Sequence, residues 1–193
     1  MQFTIRKKLI GAFAFVMAIA VGLGLFGLYE IRAVKAAGDE TEDNWLPSVM
    51  YSSGLNTNTS DYRVTQLRHV LAPDEAAKKK IEAEAAAVLA ELKKNLDGYA
   101  PLVSSPQERE LFEAFKAEWK QYTDRSEELY KLSYASKAAE AQALMARMAE
   151  HFERSSDTLD KIVEMNRLGS VEAGKSSDAT FRQAVVGVLA AMA

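Results

Sequence analysis

The chain has 193 residues, enough for one domain of ordinary size, and a formal net charge of −3. With 24 lysines and arginines against 27 aspartates and glutamates, it lacks the basic surplus that nucleic-acid binding requires. It has no cysteine, which excludes disulfides and thiolate metal sites.

The first element is an uncharged run from Leu9 to Tyr29. About 20 apolar residues span a bilayer as a helix, so the run is long enough to cross one. A cleaved signal peptide is the alternative, but signal cores are shorter and end in small residues, whereas Tyr29, Glu30, Ile31 and Arg32 follow here. Arg6, Lys7 and Lys8 precede the run, and every acidic residue lies at Glu30 or beyond. Basic flanks stay in the cytoplasm, which predicts a cytoplasmic tail at 1–8, a transmembrane helix at 9–31 and an external segment at 32–182. A second uncharged run, residues 183–193, reads as the start of another transmembrane helix, cut short. The implied location is the cell inner membrane with the outer segment in the periplasm.

Between the two apolar runs strand signals are nearly absent, and breaks at Ala72-Pro73-Asp74, at Gly98–Pro106 and near Ser133–Ser136 leave four helical stretches. Helix 1 extends from the span to about Leu71, with a kink or restart expected after Asn44-Trp45 because Pro47 lacks a backbone donor. Its apparent seam is Met50, Ser53, Thr57, Ser60, Val64, Leu67 and Leu71. Helix 2 runs from about Asp74 to Asp97 on a stripe of Ile81, Ala85, Val88, Leu92 and Leu96. Helix 3 opens with Ser105-Pro106-Gln107-Glu108, the pattern of a capping serine, a proline at the first helical position and a capping-box glutamate. Phe112, Phe115, Trp119, Tyr122, Ser126 and Leu129 follow at helical spacing. Helix 4 alternates steps of four and three through Ala141, Met145, Met148, Phe152, Ser155, Leu159, Ile162, Asn166, Gly169 and Ala173, a repeat that signals packing along a partner's whole length. The fold expected is all-α: an antiparallel up-down-up-down four-helix bundle, with its top at the loops near Pro73 and Ser136.

Catalytic constellations are missing. There is no glycine-rich phosphate loop, and the two histidines, His69 and His151, form no Glu-x-x-His pair for a di-iron site. A haem bundle using His69 with Met145 or Met148 is a reading of a different class; methionine on a seam is ordinarily core filling, and a lone histidine on a helix border is ordinarily solvated. Neither an enzyme activity nor a cofactor is expected.

Helix 1 is more informative. Arg63 and Arg68 lie about 140° apart around it, so that one can face its own bundle and the other a second subunit. Arginine recognises carboxylates bidentately, which makes the pair a candidate receptor for an organic or amino acid. Tyr122, Arg125, Tyr130 and Tyr134 lie towards the same end, and Arg147 and Arg154 share one face of helix 4. The candidate ligand-binding set is Arg63 and Arg68 with Tyr122, Arg125, Arg154 and Thr158; solvated side chains and a polar rim are the alternative.

Several segments resemble methyl-accepting chemotaxis proteins: Arg6-Lys7-Lys8-Leu9 entering a span, Asn44-Trp45-Leu46-Pro47-Ser48-Val49, Leu67-Arg68-His69-Val70-Leu71, Tyr99 to Arg109, and Val163-Glu164-Met165-Asn166. Their order covers nearly the whole chain. The resemblance implies a homodimer, a small-molecule chemoeffector bound near the membrane-distal end, and a signal carried to cytoplasmic proteins by displacement of helix 4. The same sensor can precede a histidine kinase or a cyclase. In the enteric aspartate receptor, helix 1 presents three arginines in steps of five and four. Only Arg68 matches that set here; Thr59 and Val64 hold the other positions, with Arg63 offset by one.

Overall fold

The computed structural model describes residues 5–192, all-helical apart from short connections. Residues 1–4 of the expected cytoplasmic tail, and Ala193 at the end of the second apolar run, lie outside the described residues. The chain divides into two compact units: one is everything up to Asp43 together with everything from Ser170, the other is Asn44–Gly169.

The first unit is built from α1 (Ile5–Glu40) and the last part of α6 (Ala138–Met192). The stretch Ile5–Ala36 of α1 is long and apolar enough to cross a membrane. Phe13, Phe15, Val16 and Leu25 are each more than 60% exposed, an apolar surface on all sides of the helix. Near its end α6 packs on α1 at Gly187, where a Cβ would meet the Phe26 ring at 2.8 Å.

The second unit holds the four-helix bundle: α2 (Leu46–Leu71), α3 (Glu75–Tyr99), a third rod made of α4 (Pro106–Thr123) and α5 (Ser126–Tyr134), and the first part of α6. The restart expected near Pro47 is a π-helical turn, Thr41–Trp45, after which Pro47 sits in the first turn of α2. A proline there has no N–H to donate to the fourth carbonyl back, and the wider turn accommodates the mismatch. Asp74 caps α3 by accepting from Ala77 N at 2.7 Å. Ser105 caps α4 by accepting from Glu108 N at 3.1 Å, as its sequence predicts. The Glu108 carboxylate, however, reaches back one residue further than a capping box, to Ser104 N at 2.9 Å.

The third rod is interrupted at Asp124–Arg125. Thr123 donates its hydroxyl to the carbonyls of Trp119 (3.0 Å) and Lys120 (3.2 Å), competing with the helical ladder where α4 ends. The turn into α6 uses Ser136 at φ 57°, the one non-glycine residue with positive φ among those described.

Helices α3, α4 and α6 bury the stripes their spacing predicts. Phe115, Leu129, Leu159 and Ile162 are fully enclosed, and Tyr62, Trp119, Tyr122 and Phe152 form a chain of ring contacts 5.3–5.7 Å between centroids. Each such side chain contributes roughly 1.5–3 kcal/mol by leaving water. Helix α2 requires a correction. The seam read from the sequence faces outward: Met50, Val64, Leu67 and Leu71 are exposed. Ser48, Ser52, Leu55, Thr59, Tyr62, Gln66 and His69 point inward instead. Both sets step by three and four. The inward one is disguised by its polar residues, two of whose hydroxyls turn onto the helix itself: Ser52 donates to Ser48 O at 2.6 Å and Thr59 to Asn56 O at 3.0 Å.

Candidate functional site

The interior of the distal half of the bundle is unusually polar. Gln66 on α2 donates to Ser126 Oγ at 2.8 Å and accepts from the Tyr122 hydroxyl at 2.5 Å. One turn further along α2, His69 is fully buried between Tyr130 and Tyr134. Its Nδ1 lies 3.0 Å from Ser133 Oγ and its Nε2 3.1 Å from a Glu82 carboxylate oxygen. Lys78 donates to Ser133 O at 2.5 Å. The expectation that His69 is solvated is therefore overturned; its neighbours on α3 and α5 enclose it. Burial drives its pKa below the ordinary histidine value, and Glu82 opposes that shift only in part. Ser133 donates its one hydroxyl proton to His69 O at 2.9 Å, and a neutral His69 with its proton on Nε2 donates to Glu82. Of the ligands the haem reading needs, His69 has both ring nitrogens engaged, Met148 is packed in the core and Met145 is partly buried against it.

The six candidate residues do not converge on one point. Arg63 and Tyr122 do come together, both against Phe152. The Arg63 guanidinium lies 4.3 Å from that ring's centroid, and the Tyr122 ring centroid lies 5.6 Å from it. Arg63 Nη1 is buried and has no hydrogen-bond partner. Burial raises the pKa of the Tyr122 phenol, and the positive charge of Arg63 works against that. Arg68 lies on the exposed side of α2 and pairs with Glu84 of α3 at 2.6 Å. Arg125 stands at the α4–α5 break, 3.4 Å from Glu128. Arg154 pairs with Glu150 at 2.5 Å and lies 3.6 Å from Glu118 of α4. Thr158 turns its hydroxyl onto its own helix, donating to Arg154 O at 2.7 Å.

At the other end of the bundle Glu108, 2% exposed, ties three segments together. It accepts from Tyr99 Oη at 2.5 Å and from Ser104 N, while Asn166 of α6 donates to the same Tyr99 oxygen at 2.8 Å. Burial and the Glu108 contact both push the Tyr99 phenol pKa upward, so it remains a donor. Sequence reasoning missed Gln66, Glu82, Lys78 and Ser133. The available signal was the second four-and-three register of α2, which ends on Gln66 and His69.

The chain thus joins a four-helix bundle to a preceding helix long and apolar enough to cross a membrane. The chain belongs to the family described as the four helix bundle sensory module for signal transduction, which it matches over residues 2–181. It is also similar to YvaQ of Bacillus subtilis (strain 168), designated a sensory transducer protein, at 20% identity over 186 residues. That match covers 96% of this chain and 33% of YvaQ, so the chain spans about a third of its relative's length.

Proposed function

We propose that this chain is the sensing part of a transmembrane chemoreceptor that detects a small organic or amino acid in the periplasm. In this reading residues 1–8 are cytoplasmic, 9–31 cross the inner membrane, 32–182 form the external sensor and 183–193 enter the membrane again. The basic triplet Arg6-Lys7-Lys8 before the first span supports that orientation.

The observation that carries the ligand reading is Arg63. A guanidinium with a buried, unpartnered Nη1 is a donor waiting for an acceptor, and a carboxylate is its natural complement. Tyr122 stands beside it; Arg68, Arg125, Arg154 and Thr158 complete the proposed set around the distal third. The protein works as a homodimer through α2, whose outward stripe of Leu46, Met50, Val64, Leu67 and Leu71 is apolar and exposed. The signal leaves through α6, a single helix of 55 residues that joins the bundle to the second apolar run, and passes to cytoplasmic signalling proteins. A ligand moves that helix only by binding two of its positions unequally.

The test is a thermal-shift screen of the purified chain against organic acids, amino acids and aromatic acids, followed by calorimetry on Arg63→Ala. Losing a charge-assisted hydrogen bond should weaken binding by roughly one to two decades. A folded Arg63→Ala protein that binds as tightly as the parent places the ligand elsewhere.

A further inference from the structure

A second feature lies between the third rod and α6, with no lining residue from α2. A cavity of about 220 Å³ is lined by Arg125 at the α4–α5 break and by Leu144, Arg147, Met148 and His151 on α6. The four α6 positions are separated by three, one and three residues, so they stand at i, i+3, i+4 and i+7 and share one helix face. The cavity holds the volume of about seven waters at liquid density, comparable to a short dicarboxylate.

The lining divides by chemistry. Leu144 and Met148 are 1% and 2% exposed and make a fixed apolar floor. Arg125 and Arg147 make a cationic rim, with the His151 ring beside them. The carboxylates nearby do not neutralise it. Glu118 is 2.7 Å from His151 Nδ1 and 3.6 Å from Arg154, and Glu150 is also held by Arg154. Glu128 pairs with Arg125 only at 3.4 Å, with both side chains half-exposed, a pair that contributes little and exchanges easily. Arg147 makes no hydrogen bond or ion pair among the described residues. Two guanidiniums therefore border an apolar floor, and among the described residues the one ion pair they make is the weak contact of Arg125 with Glu128. The Glu118 contact holds the His151 ring in place beside them.

We infer that this cavity is a binding site for a small organic dianion, most simply a dicarboxylate, centred on Arg147 and drawing Arg125 out of the set proposed around Arg63. One carboxylate pairs with Arg147 and the other with Arg125, while the carbon chain lies on Leu144 and Met148. Inorganic phosphate supplies the charge but has no carbon skeleton to use the floor. A dianion bound this way bridges α6 to the break in the third rod, and so acts directly on the helix that joins the bundle to the second apolar run.

The experiment is isothermal titration calorimetry of the detergent-solubilised chain with succinate, citrate and inorganic phosphate, on the parent and on Arg147→Ala, Arg147→Lys and Arg167→Ala. Arg147 is exposed, so its removal should leave the fold intact, and a circular dichroism spectrum checks this. Arg167, already paired with Glu164, controls for the loss of one positive charge. The expected result is that succinate or citrate binds the parent more than tenfold tighter than phosphate does. Arg147→Ala should weaken that binding roughly ten- to a hundredfold, Arg147→Lys should recover part of it, and Arg167→Ala should match the parent. The inference is overturned if neither dicarboxylate binds at millimolar concentration, if phosphate binds as well as they do, or if Arg147→Ala binds like the parent. It is equally overturned if binding is lost in Arg63→Ala and kept in Arg147→Ala, which would return the ligand to the other site.

Discussion

Glu108→Ala is the substitution whose cost follows most directly from the structure. Its carboxylate is almost completely enclosed and serves Tyr99 Oη, Ser104 N and Ser104 Oγ, so it joins the end of α3, the α3–α4 connection and, through Tyr99, Asn166 of α6. Alanine leaves the Tyr99 hydroxyl and the Ser104 amide without an acceptor. An orphaned buried polar group costs about 1–3 kcal/mol. Removing a negative charge from the first turn of α4 costs about 0.3–1 kcal/mol more. Relief of the buried charge offsets part of this, leaving a loss of about 3 kcal/mol. At about 2–4 °C per kcal/mol for a chain of this size, the midpoint of thermal unfolding should fall by roughly 6–12 °C. The assay is a far-UV circular dichroism melt in detergent. Glu108→Gln retains one acceptor oxygen and should lose about half as much. Because Tyr99 and Glu108 share one bond, Tyr99→Phe combined with Glu108→Ala should cost less than the two singly by about 1 kcal/mol. A fall below about 2 °C for Glu108→Ala, or strict additivity in the double variant, would refute the argument that this network joins the three segments.

The remaining predictions concern a histidine and a glycine. His69 has a folded-state pKa held below its unfolded value near 6.5, so the unfolded chain binds the extra proton first as pH falls. The stability due to neutral His69 is complete above about pH 6.5 and is lost on acidification from there down to the folded-state pKa. His69 faces Glu82 and Lys78 of α3 and Tyr130 and Tyr134 of α5, so His69→Gln should flatten the pH dependence of the melting midpoint between about pH 7 and 5, whereas an unchanged slope would assign it to other groups. Gly169→Ala should destabilise by about 1 kcal/mol, although alanine is ordinarily the better helix former, because its Cβ would fall 2.1 Å from the Trp45 ring. Tryptophan fluorescence should shift as Trp45 is displaced; a more stable variant with unchanged emission would contradict the close packing.

The fold was legible wherever apolarity and facing coincide. Phe112 to Leu129 and Ala141 to Asn166 repeat large or small core residues on one face, and the Ser105-Pro106 start follows from rules of local geometry alone. Helix α2 escaped because most of its inward residues are Ser, Thr, Gln and His, whose polar groups turn onto the helix's own carbonyls or find partners on other helices, Ser126, Ser133 and Glu82. Its outward Met and Leu residues, by contrast, carry the ordinary signature of a core. The candidate site was legible in part for the same reason. Helical spacing places Arg63 and Arg68 on different faces, and the structure sets Arg63 against Phe152 and Arg68 against Glu84 of α3. Which of the cations is already neutralised depends on neighbours brought in from other helices. Arg154 is paired and Arg147 is not, a difference no spacing rule contains.

The claim on which the functional account rests is that the bundle stands outside the inner membrane while the N-terminus stays inside. The direct measurement is a pair of reporter fusions at Asp97, in the α3 segment of the bundle: alkaline phosphatase, active only when exported, and green fluorescent protein, bright only in the cytoplasm. The account predicts high phosphatase activity and no fluorescence. Fluorescence with inactive phosphatase would contradict it.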